Sequence, residues 1–188
     1  MSRSWRILSS ALMLLALTAS AATAQEGAAR RQGFWFNIGF GYGSADFNCD
    51  NCGTTDREGS VAGNIGAGGT LSPQLLLGVE SNGWYKDESG VKSTFGNLAA
   101  VAYFYPSAKG NLFLKGGLGL AAYKFENGGS VDDTGLGLLA GIGFDLPIGK
   151  SLSITPTAAF NFGMMGDKSG AQGVNINWFS VGASLTVH

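Results

Sequence analysis

The chain is short of charge. Asp, Glu, Lys and Arg make up only 13% of its 188 residues, with Lys+Arg 12 against Asp+Glu 13. Without a basic excess it lacks the footprint that gripping a nucleic-acid backbone requires. It has a single histidine, His188, and two cysteines, Cys49 and Cys52. A structural zinc site usually takes four nitrogen or sulfur ligands, so this set is a poor one. After residue 24 no apolar run approaches the roughly 20 residues that a spanning helix needs. No Leu-x-x-Cys sequence lies near that point, which argues against lipid attachment at a cysteine.

The first 24 residues are of a different kind. Arg3 and Arg6 precede a short apolar run, Ile7 to Leu17, and small residues follow as far as Ala22-Thr23-Ala24. This is the layout of a secretory signal peptide, with an A-x-A cleavage site. The expected organisation is therefore a signal at 1–24 and one domain at 25–188. Removing Arg3 and Arg6 leaves 10 basic against 13 acidic side chains, a net charge of −3.

What the chain has in excess is glycine, 31 of 188, with no three-residue period to suggest collagen. Much of it lies in alternating segments, where it suits a small closed barrel whose interior leaves little room for side chains. The clearest segment is Phe34 to Gly43. Phe34, Phe36, Ile38, Phe40 and Tyr42 share one face, and Trp35, Asn37, Gly39, Gly41 and Gly43 share the other. A period of two is a strand. A soluble barrel would bury the bulky face. A membrane barrel turns it toward lipid and keeps a narrow, polar lumen.

Eight such segments are predicted: Gly33 to Ser44, Ser60 to Leu71, Leu75 to Tyr85, Thr94 to Tyr105, Asn111 to Phe125, Gly135 to Leu146, Leu152 to Phe162, and Val174 to Val187. Pro156 inside the seventh suggests a bulge or a local loss of pairing. Asn175 and Asn177 upset the alternation of the eighth, which points to a bulge near Asn177-Trp178. Connections after the second, fourth and sixth segments are short and carry proline. Those after the first, third, fifth and seventh are longer and polar: 45–59, 86–93, 126–134 and 163–173. Short turns at one end and long loops at the other fit an outer-membrane barrel. Aromatics near segment ends, namely Phe34, Trp35, Trp84, Tyr85, Phe104, Tyr105, Phe125, Phe162, Trp178 and Phe179, are expected in two interfacial girdles.

On this eight-segment pattern the chain resembles the small outer-membrane barrel family typified by OmpA and OmpX. Leu77-Gly78-Val79-Glu80, Gly116-Gly117-Leu118-Gly119-Leu120 and Gly137 to Phe144 carry the local likeness. The resemblance implies an all-β fold: an eight-stranded antiparallel up-and-down transmembrane β-barrel in the cell outer membrane of a Gram-negative-type cell. It also implies lipid and lipopolysaccharide as surroundings, the barrel assembly machinery as a partner, and a monomer. Such chains commonly end on an aromatic residue, whereas this sequence ends on His188.

Three charges fall on the small, lumen-facing parity: Glu80, Lys115 and Asp145. A charge on the lipid face costs about 2 to 4 kcal/mol at the midplane. Lys115 is therefore expected to pair inside with Glu80, Asp145 or both, as a structural plug in preference to a gate. Cys49-Asp50-Asn51-Cys52 is expected to close a loop disulfide, as exported proteins allow. Asp132-Asp133, or Asp46, Asp50 and Asp56, form a weak case for Ca²⁺ or Mg²⁺. Solvated loop carboxylates are the commoner explanation, and no cofactor or metal is expected.

Barrel enzymes acting on lipid A use a histidine with serine or acidic partners. His188 stands at the terminus, away from any such cluster visible in sequence, and catalysis is not expected. The expected role is structural or interactive: envelope integrity, or adhesion-type contacts through extracellular loops. The alternative is a narrow porin-like channel for small solutes. A periplasmic lipocalin-like binder would require the bulky face inside.

Overall fold

The computed structural model describes residues 31–50, 56–166 and 173–188. The expected signal at 1–24 lies outside them. Nine strand segments follow in order: β1 (Phe34–Asn48), β2 (Glu58–Ser72), β3 (Leu75–Glu88), β4 (Val91–Phe104), β5 (Leu112–Glu126), β6 (Ser130–Phe144), β7 (Leu146–Pro147), β8 (Leu152–Met164) and β9 (Asn175–Val187). All pairings are antiparallel, in the order β6-β5-β4-β3-β2-β1-β9-β8-β7, and a β6–β8 pairing closes the ring. β7 merely continues β6, so the barrel has the expected eight staves.

Proline explains why β6 and β7 are separate. Gly143 pairs with Thr157 and Leu146 with Ile154, in one unbroken register. The gap falls opposite Pro156, which has no N–H to donate toward β6. On its other side Pro156 keeps its place in the ladder against Ala183. The ladder is interrupted here, not bulged.

The bulge expected near Asn177-Trp178 is absent. β9 holds one register with β1 from Phe36↔Val187 to Asn48↔Asn175, and one with β8 from Leu152↔Val187 to Met164↔Asn175. Ile176 and Trp178 point inward and are fully buried, which leaves Asn175 and Asn177 on the outer parity. They lie at the loop end, where the outer face meets headgroups and water and an asparagine carries little cost. Asn177 there accepts a 2.6 Å hydrogen bond from Arg57. The register slips instead at Thr70/Ser72, beside the β2–β3 turn.

The two faces divide as the alternation predicts. Phe40 is 77% exposed, Leu118 62% and Ile142 44%, all on the outside. A lipocalin-like reading would require these residues to converge, and they do not. The interior, however, is less polar than expected. Trp35, Leu76, Tyr103, Tyr105 and Phe113 pack together near the short-turn end. Trp84, Phe95, Tyr123, Ile176 and Trp178 pack near the loop end. Asn37, Glu80, Asn82, Asn97, Lys115 and Asn161 are buried between these two layers.

The girdles need correction for the same reason. Phe34, Tyr85, Phe104 and Phe179 do face outward. Trp35, Trp84, Tyr105 and Trp178 turn inward and are buried, and Phe125 packs against the upper cluster. Strand parity fixes a side chain's face, and proximity to a strand end does not override it. The Trp84 indole N–H donates to the Gly43 carbonyl at 3.1 Å, so its polar end is satisfied inside.

Two of the four long connections are tight hairpins. β3 runs to Glu88 and β4 starts at Val91, leaving Ser89 and Gly90 as the turn. Both have positive φ, 54° and 84°, the geometry that matches strand twist. The β5–β6 connection is Asn127 to Gly129. Polar composition had suggested loops there, but strands leaving the bilayer are polar too. A tilted 15-residue strand rises roughly 38 Å, against an apolar band of about 25 Å, so the staves project well past the lipid.

Candidate functional site: a closed lumen

Four staves contribute inward side chains to the centre of the barrel. β3 supplies Glu80, β4 Tyr103, β5 Lys115 and β1 Asn37. The Lys115 ammonium lies 2.5 Å from Glu80 Oε1, with both side chains almost fully buried. Tyr103 donates its hydroxyl to the other carboxylate oxygen of Glu80. The Asn37 amide donates to the Tyr103 hydroxyl at 3.0 Å, Asn64 donates to Asn37 at 2.9 Å, and Ser184 donates to Asn64 at 3.2 Å. From Lys115 to Ser184 this chain links six staves. Lys115 also lies 5.7 Å from the centroid of the Tyr103 ring. Buried charge is tolerated only when paired and hydrogen-bonded, and here both conditions hold.

Asp145 belongs to a second cluster, toward the short-turn end. Tyr105 donates to its Oδ2 and Thr155 to its Oδ1, both at 2.8 Å. His188 Nε2 lies 3.2 Å from Oδ2. Of the two acids expected near Lys115, Glu80 is therefore its partner, while Asp145 is bonded to hydroxyls and an imidazole. Arg31 closes this end. Its guanidinium stacks 3.9 Å from the centre of the Tyr105 ring and donates to the carbonyls of Pro73 at 2.8 Å and Ala108 at 2.7 Å. Burial pushes the Arg31 pKa down, and Tyr105 and Asp145 push it back up.

His188 is thus next to an acid, which its position in the sequence had not suggested. Val187 faces out, so the next residue faces in, and the imidazole meets Asp145. The hydroxyls at this carboxylate, Tyr105 and Thr155, are bonded to it, and Thr155 also to Thr186. That arrangement is not a nucleophile with its base.

Little space remains in the lumen. One cavity beside Tyr103, Lys115 and Asp145 measures about 10 Å³, and another beside Asn64, Asn82 and Lys115 about 20 Å³. Each is about the size of a single water. Sequence parity had identified Glu80, Lys115 and Asp145. It had not identified Tyr103, Tyr105, Thr155 and Asn37 as their partners, although their inward parity was readable.

Cys49 follows β1 and packs against the upper cluster, and no free cysteine occurs among the described residues. Cys52 lies outside the described residues. The Cys49–Cys52 disulfide is accordingly our proposal. Unreduced protein should resist thiol labelling and accept it at both cysteines after reduction; labelling before reduction would refute the bond. Among the described residues no group of three or more His, Cys, Asp or Glu is placed to hold a metal ion.

No protein-family model and no curated protein matches the chain. Solved structures do match it. Neisserial surface protein A aligns at a TM-score of 0.58 with 15% identity, over 83% of this chain and 97% of its own. Ail, the attachment invasion locus protein of Yersinia pestis, in complex with the heparin analogue sucrose octasulfate, aligns at 0.50 with 16% identity, over 82% and 99%. At these identities the likeness is one of fold. Together with the closed ring and the apolar outer face, it defines the fold: the closed eight-stranded architecture of small outer-membrane β-barrels.

Proposed function

We propose that the protein is a closed barrel with a structural and surface-contact role, working through the ends that project outside the cell. The observation that carries this reading is the blocked lumen. Two aromatic layers enclose a paired Lys115–Glu80 centre, and the cavities beside it hold about one water each. A solute path would need a continuous wet channel, so the porin-like alternative receives no support from this geometry. Lipid and lipopolysaccharide surround the barrel in this reading, the barrel assembly machinery inserts it, and it acts as a monomer.

Charge narrows the choice of surface partner. Within 45–59, 86–93 and 124–134 the described residues include nine carboxylates and four basic side chains. The short-turn end carries Arg31, Lys109 and Lys150. A polyanion such as the one bound to the Yersinia barrel would meet net repulsion at the loop end here. Cationic partners would be attracted. Planar-bilayer recording tests the closed lumen: the expected record shows no steady openings, and sustained unit conductance would overturn the reading.

A further inference from the structure

The projecting ends enclose a cup of about 420 Å³, separate from the lumen cavities. Its walls come from inward-facing positions on four staves. Phe47 of β1, Trp84 of β3, Phe95 of β4 and Phe125 of β5 line it, and Asp56 and Glu58 stand on its margin. The four rings form one continuous wall. Trp84 lies 5.2 Å from Phe95, Phe95 lies 5.8 Å from Phe125, and Phe125 lies 5.2 Å from Phe47, centroid to centroid. Trp84, its N–H bonded to Gly43, and Phe95 are only 2% and 3% exposed and back the wall, so Phe47 and Phe125 present most of its apolar surface.

The size is that of a small-molecule pocket, mostly apolar with a few polar groups at one side. The sign of those polar groups is uniform. Among the described residues Asp46, Asp56 and Glu58 line the cup, and no basic side chain does. Lys86 and Arg57 lie nearby and pair with two of these carboxylates, Lys86 with Glu58 and Arg57 with Asp46 at 3.9 Å, so Asp56 carries the rim's unbalanced charge. Lys86 is 3.1 Å from Glu58 and also pairs with Glu88, and Arg57 donates to Asn177 and to the Ser44 carbonyl, both at 2.6 Å. Aromatic faces attract cations through their quadrupole, and carboxylates at the rim add to that attraction. An anion would be repelled by the rim, and a fully apolar guest would leave the carboxylates unused.

We propose that this cup binds a small organic cation: a quaternary or alkyl ammonium head carrying a compact apolar body. The apolar body packs against Phe47 and Phe125, and the ammonium sits between the ring faces and Glu58 and Asp56. The inference deepens the surface-contact reading, and the two fail separately, because conductance reports the lumen and binding here is read at Trp84.

The test uses the folded barrel in an uncharged maltoside detergent, with benzyltrimethylammonium as the probe. The Trp84 indole N–H resonance should shift saturably on titration. Benzyl alcohol, with the same ring and no charge, should bind on the order of tenfold more weakly, and benzenesulfonate more weakly still. Phe125→Ala should weaken the cation on the order of tenfold. Glu58→Gln, an exposed polar exchange that leaves the fold intact, should weaken it severalfold while leaving benzyl alcohol unchanged. No saturable shift, or equal binding of the cation and the alcohol, would overturn the proposal. So would undiminished cation binding by Glu58→Gln, which also decides the matter should Phe125→Ala fail to fold.

Discussion

Replacing Lys115 with methionine should destabilise the barrel by about 3 to 5 kcal/mol, because it strands the Glu80 carboxylate in the lumen without its cation. The methionine fills nearly the same volume, so lost packing contributes little. What changes is electrostatic. Glu80 is fully buried and would keep only the Tyr103 hydroxyl among the partners described above. Adding Glu80→Gln to Lys115→Met should restore most of the loss, since an uncharged amide is far cheaper to bury than a carboxylate. Urea unfolding in lipid vesicles, followed by tryptophan fluorescence, measures both. A loss under about 1 kcal/mol in the single variant would mean the pair is dispensable. A double variant worse than the single would mean that the pair acts through packing, not charge.

The second large effect concerns backbone approach between β4 and β5. A Cβ built on Gly119 would lie 1.9 Å from the Leu98 carbonyl oxygen and 2.6 Å from the Ala99 Cα. Both neighbours are backbone, so no side chain can swing aside. Gly119→Ala must therefore separate two paired strands, at a cost of about 3 kcal/mol or more. Gly96 on β4 is the control, because a Cβ there meets nothing within 4 Å. Gly96→Ala should be neutral, or stabilising by about 0.5 kcal/mol through the strand entropy that glycine forfeits. A heat-modifiability gel compares them: the fraction of compact, unheated barrel should collapse for Gly119→Ala and persist for Gly96→Ala. Equal yields would show that strand closure does not depend on this contact.

Much of the fold could be read before any coordinates, because alternation is a local signal. Phe34 to Tyr42 declared their outer face by chemistry alone, as did Leu136 to Ile142, and the structure keeps both. The same parity placed Glu80, Lys115 and Asp145 inside. What it could not supply was azimuth and height. Lys115 and Glu80 lie two staves apart; the registers set Glu80 across from Ala99 and Gly119, and Lys115 across from Tyr103 and Leu76, so the tilt of the staves is what brings the two side chains together. Asp145 sits at the height of Thr155 and His188, beside Pro156, where the ladder opens. Tryptophan was misjudged because it suits both an interface and a small core. Trp35, Trp84 and Trp178 fill the core, and only unbroken strand parity, not residue type, announces that. The bulge expected in β9 came from treating asparagine as a lumen residue at a height where the outer face already meets water.

In the function proposed above, the interior is a structural element and recognition falls to the projecting ends. The paired charges and aromatic layers link the staves, while the acidic rim and the cup lie at the loop end. All three tryptophans of the described residues are buried inside, at 1%, 2% and 0% exposure for Trp35, Trp84 and Trp178. That makes fluorescence quenching by brominated acyl chains the most direct measurement of which face meets lipid. In vesicles of brominated phospholipid the processed chain should lose little of its emission, whereas Leu118→Trp and Ile142→Trp should each add a component that is strongly quenched. Strong quenching of the native tryptophans, with none at positions 118 and 142, would contradict the account.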